Sequence, residues 1–222
     1  MDSEAQAWEE GVDAWVERVR ELGAHPHDEA ILALLPAPAG LTLDAGCGEG
    51  RLTRLLSSLG HDAVGVDRSS RLVEEARRAD PDGRYAVASI DALPLDDRAA
   101  ALVVCVNVLP HVVDLEPAVR ELARVLRDDG ALVVGLAHPV MLAGEYDDDS
   151  RSLRLEHYFD ASPEVVELGH HHVHHQPRTI EEYLRAFFGV GLVLTDVREV
   201  PARGADVPRY LDLRLERRSP ST

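Results

Sequence analysis

Residues 41–50, Leu-Thr-Leu-Asp-Ala-Gly-Cys-Gly-Glu-Gly, constrain the fold more than any other stretch of this 222-residue chain. An apolar run leads into an acid, and from Gly46 every second residue is glycine. The pattern reads as a buried strand ending at Asp44, then a tight turn through Gly46, Gly48 and Gly50. Glycine supplies positive φ and lets a ligand approach the main chain closely. A helix is expected to start near Arg51, with Leu52, Leu55, Leu56 and Leu59 as its inner face. The spacing Gly-x-Gly-x-Gly differs from the Gly-x-Gly-x-x-Gly of pyrophosphate-binding dinucleotide folds. Taken alone, the turn also fits an ordinary strand-to-helix connection in another α/β protein.

The next segments arrive in an informative order. His61–Asp67 is a short β-branched strand ending in an acid. In a parallel sheet its carboxyl end stands beside the glycine turn, where an acid about 20 residues on can accept ribose hydroxyls. The alternative is that Asp67 caps the helix beginning after Ser69. Asp44 and the glycines upstream favour the ribose role. Ala101–Leu109 is an apolar run broken at Asn107, as suits a strand buried on both faces with a polar residue at its carboxyl end. Leu115, Val119, Leu122, Ala123 and Leu126 fall at helical spacing, with Asp114 as the expected cap. Asp129-Gly130 is expected to turn the chain into a buried strand over 131–137.

Together with Ile90-Asp91-Ala92-Leu93-Pro94-Leu95, these pieces resemble the class I S-adenosylmethionine methyltransferases over roughly residues 40–138. The resemblance implies an α/β, Rossmann-like seven-stranded mostly parallel sheet. Its order is 3-2-1-4-5-7-6, with strand 7 antiparallel and helices on both faces. It also implies S-adenosylmethionine as cofactor. Asp44 would face the methionine end, and Ala45, Gly46, Cys47, Gly48 and Gly50 would form the turn beneath it. Asp67 and Arg68 would lie at the ribose, and Ile90, Asp91 and Ala92 around the adenine. Asn107 and Val108 would lie near the methionine moiety.

Residues 1–36 read as helical, with Trp8, Val12, Trp15, Val16, Val19 and Leu22 at three- and four-residue spacing. In the family such helices lie across the cofactor mouth. Trp8, on a polar stretch, is the better lid residue, whereas Trp15 reads as an anchor to the core. A second helix is expected over Asp28–Leu35, capped by Asp28 and ended by Pro36. Residues 139–178 read as a cap insertion of short strands over the strand ends, with Leu153, Leu155, His157 and Phe159 alternating. It resembles the cap of a subgroup with His-Pro after strand five and a His-Arg-Thr-like string before the next helix. Here the string is His175-Gln-Pro-Arg-Thr179, and the inserted Gln-Pro departs from the pattern. Thr179 and Glu182 form a capping-box pattern for the helix that follows. Leu192–Val200 and Tyr210–Leu215 are the last two strands, and Arg217–Thr222 reads as a frayed tail. The chain is thus expected to be a single domain, 1–222, with 1–36 as lid and 139–178 as cap.

Methyl transfer needs positioning and desolvation, and needs a base only if the acceptor loses a proton as it attacks. His138, His111 and His175 are the candidate bases. For each, a hydrogen-bonded structural histidine is the competing reading. His170, His171, His172, His174 and His175 crowd together, and imidazoles two apart on a strand can chelate a metal. Clustered histidines on a polar cap are more often solvated or substrate-facing, and no metal is assigned.

Composition narrows the partners. A formal net charge of −17 disfavours nucleic acid and anionic membranes, as does the absence of a basic cluster with interleaved aromatics. No run is long enough to cross a bilayer, and Met-Asp-Ser-Glu does not begin like a secretory leader. Cys47 and Cys105 read as reduced thiols of a cytoplasmic protein. The sequence has no Lys, so no Lys nucleophile is available. The expected function is transfer of a methyl group to oxygen, nitrogen or carbon of a small molecule by a monomer or homodimer. The alternatives are a metal-assisted or non-methylating enzyme that uses the His-rich cap, and a non-catalytic S-adenosylmethionine-binding module.

Overall fold

The computed structural model describes residues 8–9, 11–13, 15–17, 19, 26–147, 152–168, 171–201 and 206–218. The described residues between 8 and 19 are helical. Helix α1 (Pro26–Leu34) leads into β1 (Leu41–Ala45), α2 (Arg51–Ser58), β2 (Asp62–Asp67), α3 (Ser70–Ala79) and β3 (Tyr85–Val87). Strand β4 (Ala100–Val106), a 3-10 turn (Leu109–His111), α4 (Leu115–Val125) and β5 (Leu126–Ala137) follow. A short α5 (Pro139–Leu142) opens the insertion, which holds the hairpins β6 (Gly144–Asp147) with β7 (Ser152–Leu155) and β8 (Glu164–Leu168) with β9 (His171–His175). Helix α6 (Ile180–Gly189), β10 (Leu192–Pro201) and β11 (Pro208–Arg217) complete the fold.

Seven strands form one sheet in the order β10-β11-β5-β4-β1-β2-β3. Read from the other edge, this is the expected order 3-2-1-4-5-7-6. Strands β1 to β5 run parallel where they pair, and β11 is antiparallel to both neighbours. This is the Rossmann-like mixed sheet expected from the sequence, with helices on both faces. The apolar run in β4 follows from its central place. Val103 and Cys105 pack on one side in a cluster with Val119, Leu122 and Phe187. Leu102 and Val104 pack on the other with Ile31, Leu34, Leu52 and Leu56. Every residue from Leu102 to Cys105 is therefore buried, and each fully buried aliphatic side chain contributes about 1.5–3 kcal/mol.

Several local expectations are corrected. On α2, Leu52 and Leu56 are buried but Leu59 is 49% exposed, and Thr53 takes a buried place instead. Asp28 lies inside the first turn of α1 rather than capping it, and both its oxygens accept from Arg51, at 2.6 and 2.9 Å. Asp114 precedes α4 but its side chain makes no capping bond. Asp129-Gly130 does not break the strand. The pairing with β4 instead shifts register between Ala100 and Leu102, so the irregularity is absorbed as a bulge. In the cap, β7 stops at Leu155 and Phe159 is 88% exposed, so the alternation to 159 is not one strand. Arg217 belongs to β11, and its guanidinium donates to the carbonyls of Ala123 and Leu126 at the end of α4. Residues 219–222, Leu22 and part of the acidic stretch at 147–149 lie outside the described residues.

Candidate functional site

The glycine turn has the conformation its spacing implies. Gly46, Gly48 and Gly50 have φ of +83°, +55° and +82°. A Cβ at Gly46 would overlap the side chain of Val108, so the turn and the start of the β4 loop touch because Gly46 has no side chain. The amides of Gly46 and Cys47 donate to the Val66 carbonyl at 2.7 and 3.0 Å, which ties the turn to β2. Gly50 is the N-terminal boundary of α2 and supplies no side-chain cap. Buried among apolar groups and near Asp44 and Asp67, the Cys47 thiol is pushed far above its ordinary range and is no nucleophile.

Two acids flank the turn. Asp44 is 2% exposed, and Thr53 donates to its Oδ2 at 2.6 Å. Burial pushes its pKa up to about 6 against the opposing Thr53 bond, and the nearby charge of Asp67 adds to the rise. Asp67 accepts from the Gly48 amide with Oδ2 and the Ser69 amide with Oδ1, both at 2.9 Å. Burial raises its pKa as well, while those amides and the charge of Arg68 oppose the shift. Asp67 is not the cap of α3. Ser69 is, accepting from the Leu72 amide at 3.2 Å. Asp67 instead spans from the glycine turn to the head of α3.

Ile90 packs against the main core, whereas Asp91 and Ala92 are exposed beyond it. Asn107 has φ of +56°, and its amide donates to the Gly135 carbonyl at 2.7 Å. Its Oδ1 is buried and meets no hydrogen-bond donor among the described residues. A left-handed asparagine with an orphaned acceptor at a strand tip is a strained arrangement of the kind found at ligand sites.

The N-terminal helical stretch closes one side. Val12, Val16 and Trp15 pack on Leu72 of α3. A Cβ at Gly48 would stand 3.7 Å from Trp15 Nε1, so Trp15 reaches the glycine turn as well as anchoring the stretch. Trp8 meets Trp15 edge-on at 5.7 Å and the His111 ring at 5.3 Å. Glu9 accepts from the Ser70 amide at 2.6 Å.

The three histidines differ sharply. His138 is 2% exposed; its Nδ1 accepts from the Val140 amide at 3.2 Å, and its Nε2 meets Glu199 at 3.1 Å. The lone pair of its neutral form is therefore occupied, and the ring caps α5 as a structural group. To act as a base His138 would have to release one of these contacts. His111 lies on the 3-10 turn four residues past Asn107, between Trp8 and His175. His175 is 3% exposed, and neither ring nitrogen has a hydrogen-bond partner among the described residues. Burial, with the positive charges of His111 and Arg178, pushes its pKa down to about 4, so it is neutral at pH 7. His171, His172 and His174 lie on β9, with His172 in register with Glu167, while His170 lies outside the described residues.

Thr53, Arg178 and Glu199 were not singled out as partners by the sequence. Thr53 and Glu199 hold Asp44 and His138. Arg178 donates to the carbonyls of Leu109, Val112 and Val113, which clamps the loop bearing His111. Only for Arg178, in the string after His175, was there a sequence signal.

Comparison with known proteins agrees with this geometry. Residues 43–134 match the family model described as "Methyltransferase domain". An uncharacterized methyltransferase of Mycobacterium bovis is 39% identical over 104 residues, which cover 47% of this chain and 42% of that protein. A malonyl-[acyl-carrier protein] O-methyltransferase of Enterobacter lignolyticus is 36% identical over 105 residues, with the same two coverages. The chain thus spans less than half the length of these relatives. An S-adenosylmethionine-dependent methyltransferase from Mesorhizobium loti superposes with a TM-score of 0.77 at 24% identity, covering 88% of this chain and all of that one.

Proposed function

We propose that this chain, a member of the class I S-adenosylmethionine-dependent methyltransferases by its domain and fold, methylates a small-molecule acceptor. The observation that carries the reading is the pairing of Asp44 and Asp67 on adjacent strand tips around a left-handed triple-glycine turn. The residues present fit the cofactor. At Gly48 a Cβ would meet nothing nearer than Trp15 Nε1 at 3.7 Å, so the main chain of the turn is open to a ligand there, and Asn107 Oδ1 is a buried acceptor lacking a donor among the described residues. Asp44 and Asn107 would hold the amino-acid end, Asp67 the ribose hydroxyls, and Ile90, Asp91 and Ala92 the adenine. When bound, the cofactor supplies a methyl carbon made electrophilic by its positively charged sulfur.

The chain's own contribution is to position and to exclude water. Trp8 and Trp15 cover the mouth, and the 139–178 segment closes the strand ends. The segments shared with the relatives cover the cofactor half, so acceptor choice rests on residues outside them. Among the described residues no helix is long and apolar enough to cross a membrane, which fits a dissolved acceptor. The chain works as one domain, 1–222, with lid and cap.

Calorimetry with S-adenosylmethionine tests the assignment. Asp67→Ala should weaken binding by about 1.5–3 kcal/mol, as loss of charged hydrogen bonds does. An unchanged affinity overturns the ribose role. Turnover is read as S-adenosylhomocysteine formed from a panel of small acceptors.

A further inference from the structure

A cleft beneath the cap lies beyond the glycine turn. It runs between α5, the 156–158 turn and the start of α6, and its polar lining is His157, Tyr158, His175, Arg178 and Tyr183. The remaining lining is apolar, with Pro139, Leu142 and Pro177 among it. A chain of rings connects it to the cofactor end. Trp15 stands near Gly48, Trp8 on Trp15, His111 on Trp8, and His175 on His111 at 6.0 Å.

We propose that this cleft anchors an anionic oxygen group of the acceptor, a carboxylate or an ionised phenol, against His175 and Arg178. The inference rests on the reading of the chain as a small-molecule methyltransferase, and it names the acceptor class. Three observations carry it. His175 is almost wholly buried, lines the cleft, and leaves both ring nitrogens unpartnered among the described residues, an arrangement that folding disfavours unless a ligand meets them. Arg178 brings a fixed positive charge; it donates to three carbonyl oxygens at 2.5–3.0 Å and also meets the Tyr183 hydroxyl, neutral partners that orient the guanidinium without discharging it. Among the described residues no carboxylate lines the cleft, in a chain whose formal net charge is −17. Glu156 pairs with Arg154 at 3.0 Å and stands 3.7 Å from Nε2 of the exposed His157 at the rim, Glu182 is held by Thr179 in the capping box, and Glu164, opposite His175 in the hairpin, is exposed.

A cationic amine would meet the charge of Arg178, with no carboxylate among the described lining residues to offset it. An anionic oxygen would find the N–H of a neutral imidazole and the field of an arginine. His175 keeps its ring proton and donates it as a hydrogen bond, so no bond to the acceptor is made or broken at this anchor.

Benzoate and benzylamine, matched in size and opposite in charge, are suitable probes. Binding is measured by calorimetry on the full chain, with and without saturating S-adenosylhomocysteine. Benzoate should bind at least tenfold more tightly than benzylamine. Non-specific attraction to so acidic a protein works the other way, so the preference must come from a local site. His175→Phe keeps the ring and removes the nitrogens. It should weaken benzoate at least tenfold, leave S-adenosylhomocysteine affinity within twofold, and leave the melting temperature unchanged or higher. Benzylamine binding as tightly as benzoate overturns the proposal, as does a His175→Phe protein that binds benzoate like the wild type. Loss of benzoate binding together with a lowered melting temperature also overturns it, since His175 would then be structural. Failure of the wild type to bind S-adenosylhomocysteine would strike the methyltransferase reading instead, because the probe comparison stands in its absence.

Discussion

With the cofactor held as proposed, Asp44 ties its affinity to pH. Its carboxyl is buried at the tip of β1 with a pKa near 6, so it is half protonated in mildly acidic solution. The cofactor's ammonium group, placed against it, favours the ionised form and draws the pKa down on binding. Binding then releases a proton below pH 6, and affinity falls as the solution is acidified. If the pKa in the complex lies below 5, binding at pH 5 is about tenfold weaker than at pH 7.5. Thr53 sets the midpoint. Its hydroxyl donates to the carboxylate, so Thr53→Val should move the midpoint up by about one pH unit, the equivalent of a charged hydrogen bond of ~1.5 kcal/mol. Asp44→Asn should bind the cofactor more weakly at pH 7.5 and flatten the profile. The sign for folding is opposite. A carboxyl whose folded pKa is raised contributes stability below its unfolded value of 3.8, and that contribution is lost as pH rises through about 6. Asp44→Asn should therefore be more stable at pH 7.5, by up to about 3 kcal/mol. Calorimetry from pH 5 to 7.5 decides the matter, with adenosine, which lacks the ammonium group, as control. A flat profile in the wild type, or a tenfold slope that survives in Asp44→Asn, refutes the argument.

Gly46→Ala should cost about 2–3 kcal/mol in urea unfolding and abolish cofactor binding, because its φ is +83° and Val108 occupies the Cβ position; Val108→Ala in the same chain should restore part of the stability. His138→Ala should lower stability by about 1–3 kcal/mol, by leaving the Val140 amide and Glu199 unmet, while cofactor affinity holds; unchanged stability with lost turnover would mark it as a base instead. His27 of α1 and Asp212 of β11 form a buried pair beneath Gly135, so Asp212→Ala should cost about 3–5 kcal/mol by circular-dichroism melts, and replacing both by apolar residues of similar volume should recover most of it.

The sheet, its order and the glycine turn were legible because their signals are local. A run of apolar residues, an acid and alternating glycines determine φ, burial and register within ten positions. Partners far away in sequence left no such trace. Glu199, which holds His138, is 61 residues along the chain, and Asp212 lies 185 residues from His27. Nothing near His138 or His27 in sequence indicates that these imidazoles are engaged. Asp129-Gly130 misled for a related reason. The dipeptide carries a turn preference, but the neighbouring β4 strand captures it as a bulge, and tertiary pairing overrides local preference. Trp15 reads as an anchor from its apolar neighbours, yet it also reaches Gly48, because the helix bearing it lies between α3 and the turn.

The site keeps three buried polar groups in states that folding alone would not select. Asp44 is held near neutral pH in its costly ionised form, Asn107 leaves Oδ1 without a donor, and His175 leaves two nitrogens without partners. Each could be an apolar residue at some gain in stability. Asp44 and Asn107 stand at the strand tips of β1 and β4, and His175 meets His111 on the turn that follows β4; Asp212 Oδ2, in the buried pair with His27, is also unmet. Unmet polar groups gathered at neighbouring strand tips suit a surface shaped for something else to complete. The unmet groups also differ along that edge. An acid and an amide oxygen at the glycine turn call for donors and positive charge, whereas an imidazole and an arginine at the cap call for an acceptor and negative charge. Two ligands of opposite polarity, meeting end to end, satisfy that gradient. A cationic methyl donor and an anionic acceptor are such a pair.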